Sequence, residues 1–106
     1  MSELYKTSKI VKTILEQDEK ARNSDNYLYF RVLDVLGKKN GIDINNVPIT
    51  LFLLNMSAWG FPPFESVRRT RQQAQHDRPE LRGNKEVTEF RAEKEVEYRA
   101  FARGGA

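Results

Sequence analysis

The stretch Gly60-Phe61-Pro62-Pro63-Phe64-Glu65-Ser66-Val67-Arg68-Arg69-Thr70-Arg71-Gln72-Gln73-Ala74-Gln75-His76 constrains the fold more than any other. Proline fixes φ near about −65° and carries no backbone N–H. Pro63 therefore suits the first position of a helix, where that N–H would have no partner anyway. Glu65 then falls in the first turn, where the positive end of the helix dipole favours a carboxylate. The helix has to stop at Asp77-Arg78-Pro79, because proline disfavours the helical conformation in the residue before it. An apolar segment precedes the glycine, with Ile49, Phe52, Leu53 and Met56 on one face and Leu51 and Leu54 beside it. A helix apolar over so much of its circumference is expected to be buried. Buried helix, glycine-containing turn, polar helix is the order in which a helix-turn-helix is built.

Helical geometry, at about 100° per residue, sorts the residues after Pro63 into two faces. Phe64, Val67 and Ala74 point together toward a core. Arg69, Gln72, Gln73 and His76 cluster on the other side, with Glu65 and Ser66 beside them. Arginine can pair bidentately with guanine and glutamine with adenine. The expected DNA-binding set is therefore Ser66, Arg68, Arg69, Gln72, Gln73 and His76, with Arg68 at the border and better suited to a phosphate. Arg71 projects near the inward side. Its stem is expected to pack there while its head pairs with an acid or a phosphate. Residues 66–76 hold three arginines and no acid.

The rest of the chain reads as helices. Ile10, Val11, Ile14 and Leu15 give an apolar stripe to a first helix over about residues 8–18. Arg22-Asn23-Ser24-Asp25-Asn26 is a polar break in which Asn23 or Ser24 caps the next helix, and Asp25 complements its dipole. That second helix, about 25–36, carries Leu28, Val32, Val35 and Leu36, and Gly37 is expected to end it. Lys38-Lys39-Asn40-Gly41 reads as an exposed turn and Ile42-Asp43-Ile44 as a short extended approach to the third helix. Asn45 or Asn46 is expected to cap that third helix, and Gly60 to close it. Asn84 is expected to cap a fifth helix over about 85–103. Val87, Phe90, Tyr98 and Phe101 share one of its faces, interrupted by Lys94. At about 1.5 Å per residue it reaches close to 30 Å, long enough to cover the core or to pair with a second copy as a homodimer.

Composition narrows the function. A chain of 106 residues, 39% hydrophobic and 31% charged, is one globular domain with a charged surface. It has no cysteine and a single histidine, His76, which excludes disulfides, cysteine-ligated zinc and histidine clusters, so no metal or cofactor is expected. Glu86, Glu89, Glu93 and Glu97 alternate with Lys85, Arg91, Lys94 and Arg99, as on an ordinary solvated helix. With no phosphate loop or nucleophile motif, no catalytic residue is expected. The N-terminus lacks the apolar core of a signal peptide. The run Leu51 to Leu54 is far too short for a bilayer, which points to a cytoplasmic protein without a membrane partner. A net charge of +3 permits nucleic acid as a partner.

Three segments carry a family resemblance: Asn23-Ser24-Asp25-Asn26, the run from Gly60 to Gln73, and Pro79-Glu80-Leu81-Arg82-Gly83. Over about residues 10–103 the chain resembles a family of small phage and prophage proteins of Gram-positive bacteria. In that family the segment matching Glu65-Ser66-Val67-Arg68-Arg69 resembles the recognition helix of helix-turn-helix regulators, and Ser or Thr often stands where this chain has Pro63. The resemblance implies a phage-encoded, DNA-associated accessory protein acting in the host cytoplasm, and supplies no catalytic residues. The expected architecture is an all-α, five-helix single domain: residues 1–83 form the helix-turn-helix part and 84–106 the C-terminal helix and tail. The expected partner is double-stranded DNA. The alternative is a host protein that the chain inhibits, such as the nucleic-acid-handling effector bound by an anti-CRISPR.

Overall fold

A computed structural model describes residues 3–104, with side chains described over residues 6–97. Every regular element among them is helical: α1 (Glu3–Gln17), α2 (Glu19–Asn23), α3 (Asp25–Asn40), α4 (Ile49–Asn55), α5 (Phe64–Asp77), a 3-10 turn (Pro79–Leu81) and α6 (Lys85–Gly104). The all-α expectation holds, with six α-helices where five were expected. Neither a strand nor a wing occurs among the described residues.

Three helices build the core. α1, α3 and α5 pack pairwise, and α2 folds against α1 and α3. Val11, Ile14 and Leu15 of α1 recur at the three- and four-residue spacing that puts side chains on one face. They meet Leu28 and Val32 of α3, Val67 and Ala74 of α5, and Leu81 of the 3-10 turn, all buried. Truncating one of the larger of these to alanine costs about 2–5 kcal/mol.

The extra helix comes from the polar break. Asp18 accepts from the Lys20 N–H at 3.1 Å and starts α2, a single turn that buries Ala21. Ser24 then serves both sides. Its N–H donates to the Lys20 carbonyl at 3.1 Å and its Oγ accepts from the Tyr27 N–H at 3.2 Å, capping α3.

Gly37 does not end α3. The helix runs on to Asn40 and is capped by Gly41, at φ 74°, in the left-handed region where glycine meets no Cβ penalty. Lys38 and Lys39 therefore lie in its last turn, not in a loop. Gly37 has a packing role: a Cβ there would stand 2.6 Å from the Ile42 carbonyl oxygen and 3.0 Å from Ile44 Cγ1. The returning chain crosses α3 at that point and donates the Ile42 N–H to the Gly37 carbonyl at 2.8 Å.

The largest correction concerns α4. It is a seven-residue helix that stops at Asn55, short of Gly60, and Pro48 precedes it without a side-chain cap. Only Phe52 is buried, in a second cluster with Leu33 and Phe61 that Trp59, Met56, Ile42 and Ile44 border. Ile49 is 70% exposed and Leu54 79%, and Leu51 and Leu53 also face solvent. One apolar anchor suffices to hold so short a helix, so its remaining circumference stays outside. Residues 56–63 separate α4 from α5, which exceeds the ~3–4-residue turn of a helix-turn-helix.

α5 stops before Arg78 as Pro79 requires, but Pro63, expected at the first helical position, is instead the extended residue before it (φ −70°, ψ 157°), and Phe64 opens the helix. Phe64, expected in the core, sits half-exposed at its rim and meets the Tyr29 ring edge-on at 5.4 Å. Asn84 caps α6 by accepting from the Val87 N–H at 2.9 Å. Phe90, expected on a buried stripe, is 58% exposed with the Lys94 ammonium 5.5 Å over its ring. Tyr98 and Phe101 lie outside the residues whose side chains are described.

Candidate functional site

Core packing gives α5 two chemically different sides. Val67 and Ala74 are locked against α1 and α3, which turns Arg69, Gln73 and His76 outward, all exposed, and leaves Gln72 half-buried beside them. These four residues share one wall of a cleft of about 600 Å³ whose other wall is α6, through Thr88, Arg91, Ala92 and Glu95. Ser66 and Arg68 do not reach the cleft. The Ser66 carbonyl accepts from Thr70 Oγ1 at 2.8 Å. Arg68 is turned back on Glu65 through both Nε and Nη2.

The expected base-reading groups already hold partners within their own helix. Arg69 Nε donates to Glu65 at 3.3 Å, with the side chain 76% exposed. Gln73 Nε2 donates to Asp77 Oδ1 at 3.0 Å. The Arg68 hydrogen bond, with the charges of Arg68 and Arg69 adding to it, pulls the Glu65 carboxyl down to about 2. Glu65 is thus the counter-ion of α5's N-terminal arginines. Solvent-exposed pairs of this kind are worth little, so both arginines can exchange Glu65 for another anion at small expense.

Arg71 takes the inward position expected of it and finds an acid there. It is 5% exposed and grips Asp25 in a two-pronged fork, Nε to Oδ1 at 2.9 Å and Nη2 to Oδ2 at 3.0 Å. Asp25 serves a second cation as well, accepting from Arg91 Nη2 at 3.3 Å. Arg91 Nη1 also donates to the Arg22 carbonyl at 2.8 Å. Gln75 is buried between the two arginines. Its Oε1 faces Arg71 Nη1 at 3.4 Å and Arg91 Nη1 at 3.5 Å, while its Nε2 donates to the Leu81 carbonyl at 3.0 Å. One carboxylate and one amide thereby join α3, α5, the 3-10 turn and α6. Asn23 adds to this by accepting from the Asn84 N–H at 2.7 Å.

Asp25, Gln75, Arg82 and Arg91 were not expected in this site. Asp25 reads in sequence as a first-turn dipole residue, and Arg91 as one of the cations alternating with glutamates on a solvated helix. The available signal was Arg71, an arginine on the core side of an amphipathic helix, which demands a carboxylate from another element.

The cleft is electropositive. Arg69, Arg71, Arg82 and Arg91 line it, with Glu95 the one lining carboxylate. Burial, and the like charge of Arg71, push the Arg91 guanidinium below its ordinary value, the response of a cation with too little countercharge. Guanidinium and amide donors so arranged suit phosphate oxygens and base edges. Among the described residues no group of acids and histidines could hold a metal ion, and no helix is long and apolar enough to cross a membrane. No family model matches the chain, and no curated protein or solved structure is similar to it.

Proposed function

We propose that the protein binds double-stranded DNA through α5, acting as a phage-encoded accessory or regulatory protein. One observation carries this reading. The third helix of a three-helix core is locked by Val67, Arg71 and Ala74 and turns Arg69, Gln73 and His76 to solvent together. α5 then serves as the recognition helix, α1 and α3 as its support, and α4 as an insertion in the helix-turn-helix connection. Arg69 and Gln73 exchange Glu65 and Asp77 for base edges, while Arg68 exchanges Glu65 for a phosphate. A homodimer joined through α6, whose Phe90 and Val96 are exposed, would present two such helices to two half-sites.

A second reading rests on α4. Exposed Ile49, Leu51, Leu53 and Leu54 form the kind of apolar patch that marks a protein-binding surface, as expected of an inhibitor of a host protein. One experiment separates the readings: a selection against random duplex DNA at two salt concentrations, alongside a nuclease-treated host-lysate pull-down with wild-type protein and Leu54→Asp. DNA binding predicts an enriched site whose preference Arg69→Ala and Gln73→Ala relax, with affinity falling steeply as salt rises. Weak, salt-independent and sequence-blind binding rules it out. A protein captured by wild type and lost with Leu54→Asp favours the second reading.

A further inference from the structure

We infer that the cleft between α5 and α6 is a binding site for a phosphate group, centred on Arg82 and Arg91 with Arg69 and Gln72 on the facing rim. The inference goes beyond duplex recognition by the exposed edge of α5, and would stand if that recognition failed.

Donor arithmetic supports it. A guanidinium has five N–H groups and no acceptor. Arg71 spends its fork on Asp25 and a further N–H on Gln75, and is positioned, not available. Arg91 spends Nη1 and Nη2 on Arg22, Gln75 and Asp25, and its Nε has no partner among the described residues. Arg82 holds the Gln75 carbonyl through Nε at 3.3 Å. Neither of its Nη groups has a partner among the described residues. Arg69 is held only through Nε, and the Gln72 amide has no hydrogen-bond partner among the described residues. The cleft thus presents several unspent N–H donors in a space of about 600 Å³, within the ~300–1,000 Å³ range of small-molecule sites.

Charge selects the ligand. The two arginines behind the cleft share one carboxylate, Asp25, which already accepts three of their N–H groups. Glu95, the one lining carboxylate, lies one helical turn beyond Arg91. A ligand in the cleft therefore meets the guanidinium groups of Arg69, Arg82 and Arg91 against that single lining acid. A tetrahedral dianion with several acceptor oxygens satisfies divergent guanidinium donors better than a planar carboxylate does. The same chemistry is offered by a free phosphoryl compound and by the terminal phosphate of a nucleic-acid strand. α6 flanks the cleft, so a single strand or a terminal phosphate fits it where a duplex does not.

The test uses the full chain and arginine Nε–H NMR resonances. Inorganic phosphate, a nucleoside monophosphate, a 5′-phosphorylated single-stranded oligonucleotide and its unphosphorylated twin are titrated in turn at constant ionic strength. The expected result is saturable shifts of Arg82 and Arg91, with affinity reduced at least tenfold in Arg82→Ala and unchanged in Arg78→Ala. Arg78 is an arginine bound to Glu16 and Glu80 outside the cleft. The Arg71 resonance, fixed by Asp25, reports that each variant is folded, and Arg69→Ala provides a second cleft variant should Arg82→Ala unfold. Tighter binding of the 5′-phosphorylated strand than of its twin identifies a nucleic-acid source. Equal affinity for free phosphate and nucleotide identifies a free phosphoryl ligand. Absence of saturation at millimolar phosphate overturns the inference, as does equal weakening in Arg82→Ala and Arg78→Ala. Duplex binding, read through Arg68→Ala outside the cleft, can fail while phosphate binding stands, and the reverse.

Discussion

Asp25→Asn tests the central electrostatic feature of the fold. The substitution keeps the shape of the side chain and removes its charge. It turns one of two acceptor oxygens into an NH₂ group facing a guanidinium. Asp25 accepts three N–H bonds, two from Arg71 at 2.9 and 3.0 Å and one from Arg91 at 3.3 Å. The Arg71 side chain is 6% exposed, so water cannot replace the lost partner. Removing one member of a buried ion pair costs about 3–5 kcal/mol, because the other charge stays buried and uncompensated. Losing an acid from the first turn of α3 adds about 0.3–1 kcal/mol. For a domain near 100 residues, about 4–8 °C of Tm accompanies each kcal/mol, so Asp25→Asn is expected to lower Tm by roughly 13–48 °C. Circular-dichroism melts and urea titrations measure both quantities. Adding Arg71→Met to Asp25→Asn removes the stranded charge and is expected to recover part of the loss, since the cost lies in the unpaired cation and not in the missing attraction. A loss below about 1 kcal/mol for Asp25→Asn, or a further loss in the double variant, would refute the reasoning that Arg71 depends on Asp25.

Two other perturbations test neighbouring inferences. Gly37→Ala gains about 0.8–1 kcal/mol of helix propensity but places a Cβ 2.6 Å from a backbone oxygen. Shifting that backbone costs about 1–3 kcal/mol, so urea unfolding should show a net loss, and a gain would mean that the crossing chain does not need the glycine. Glu65 titrates near about 2 in the folded chain instead of near 4.5. Its contribution is then complete above about pH 4.5 and lost as pH falls toward about 2. Glu65→Gln should flatten the wild-type decline of stability across that interval, and parallel wild-type and variant curves would show that Glu65 is not a counter-ion.

Much of the fold is legible in the sequence because its strongest signals are local. The Val11-Ile14-Leu15 spacing, the Ser24 and Asn84 caps, and the Pro79 stop after α5 each act within a few residues, and each appears where local chemistry puts it. Several misreadings come from how the chain packs back on itself, which periodicity along one helix does not show. Gly37 looks like a helix stop, and only the return of Ile42 across α3 reveals why a side chain is absent there. Leu51, Leu53 and Leu54 look like core residues because apolar content measures what a helix could bury, while the space available for burial depends on elements elsewhere. α3 and Phe61 offer α4 room for Phe52 alone.

The site divides along the same line. Periodicity suffices to separate the outward Arg69, Gln73 and His76 from the inward Arg71, since both faces belong to one helix. It cannot supply Asp25, Arg82 or Arg91, which arrive from α3, from beyond the 3-10 turn and from α6. Their arrival changes what the arginines of α5 can do. Arg71 becomes a fixed strut whose charge is spoken for, Arg68 closes on Glu65, and Arg69 keeps the loosest tie of the three. Three arginines within four residues, equivalent by composition, thus differ in the anion each can still accept. That availability falls with burial and with the number of bonds already made. A ligand that binds α5 therefore meets Arg69 first and Arg68 after Glu65 gives way. Arg71 stays committed to Asp25, and the other cations lining the cleft beside Arg69 are Arg82 and Arg91.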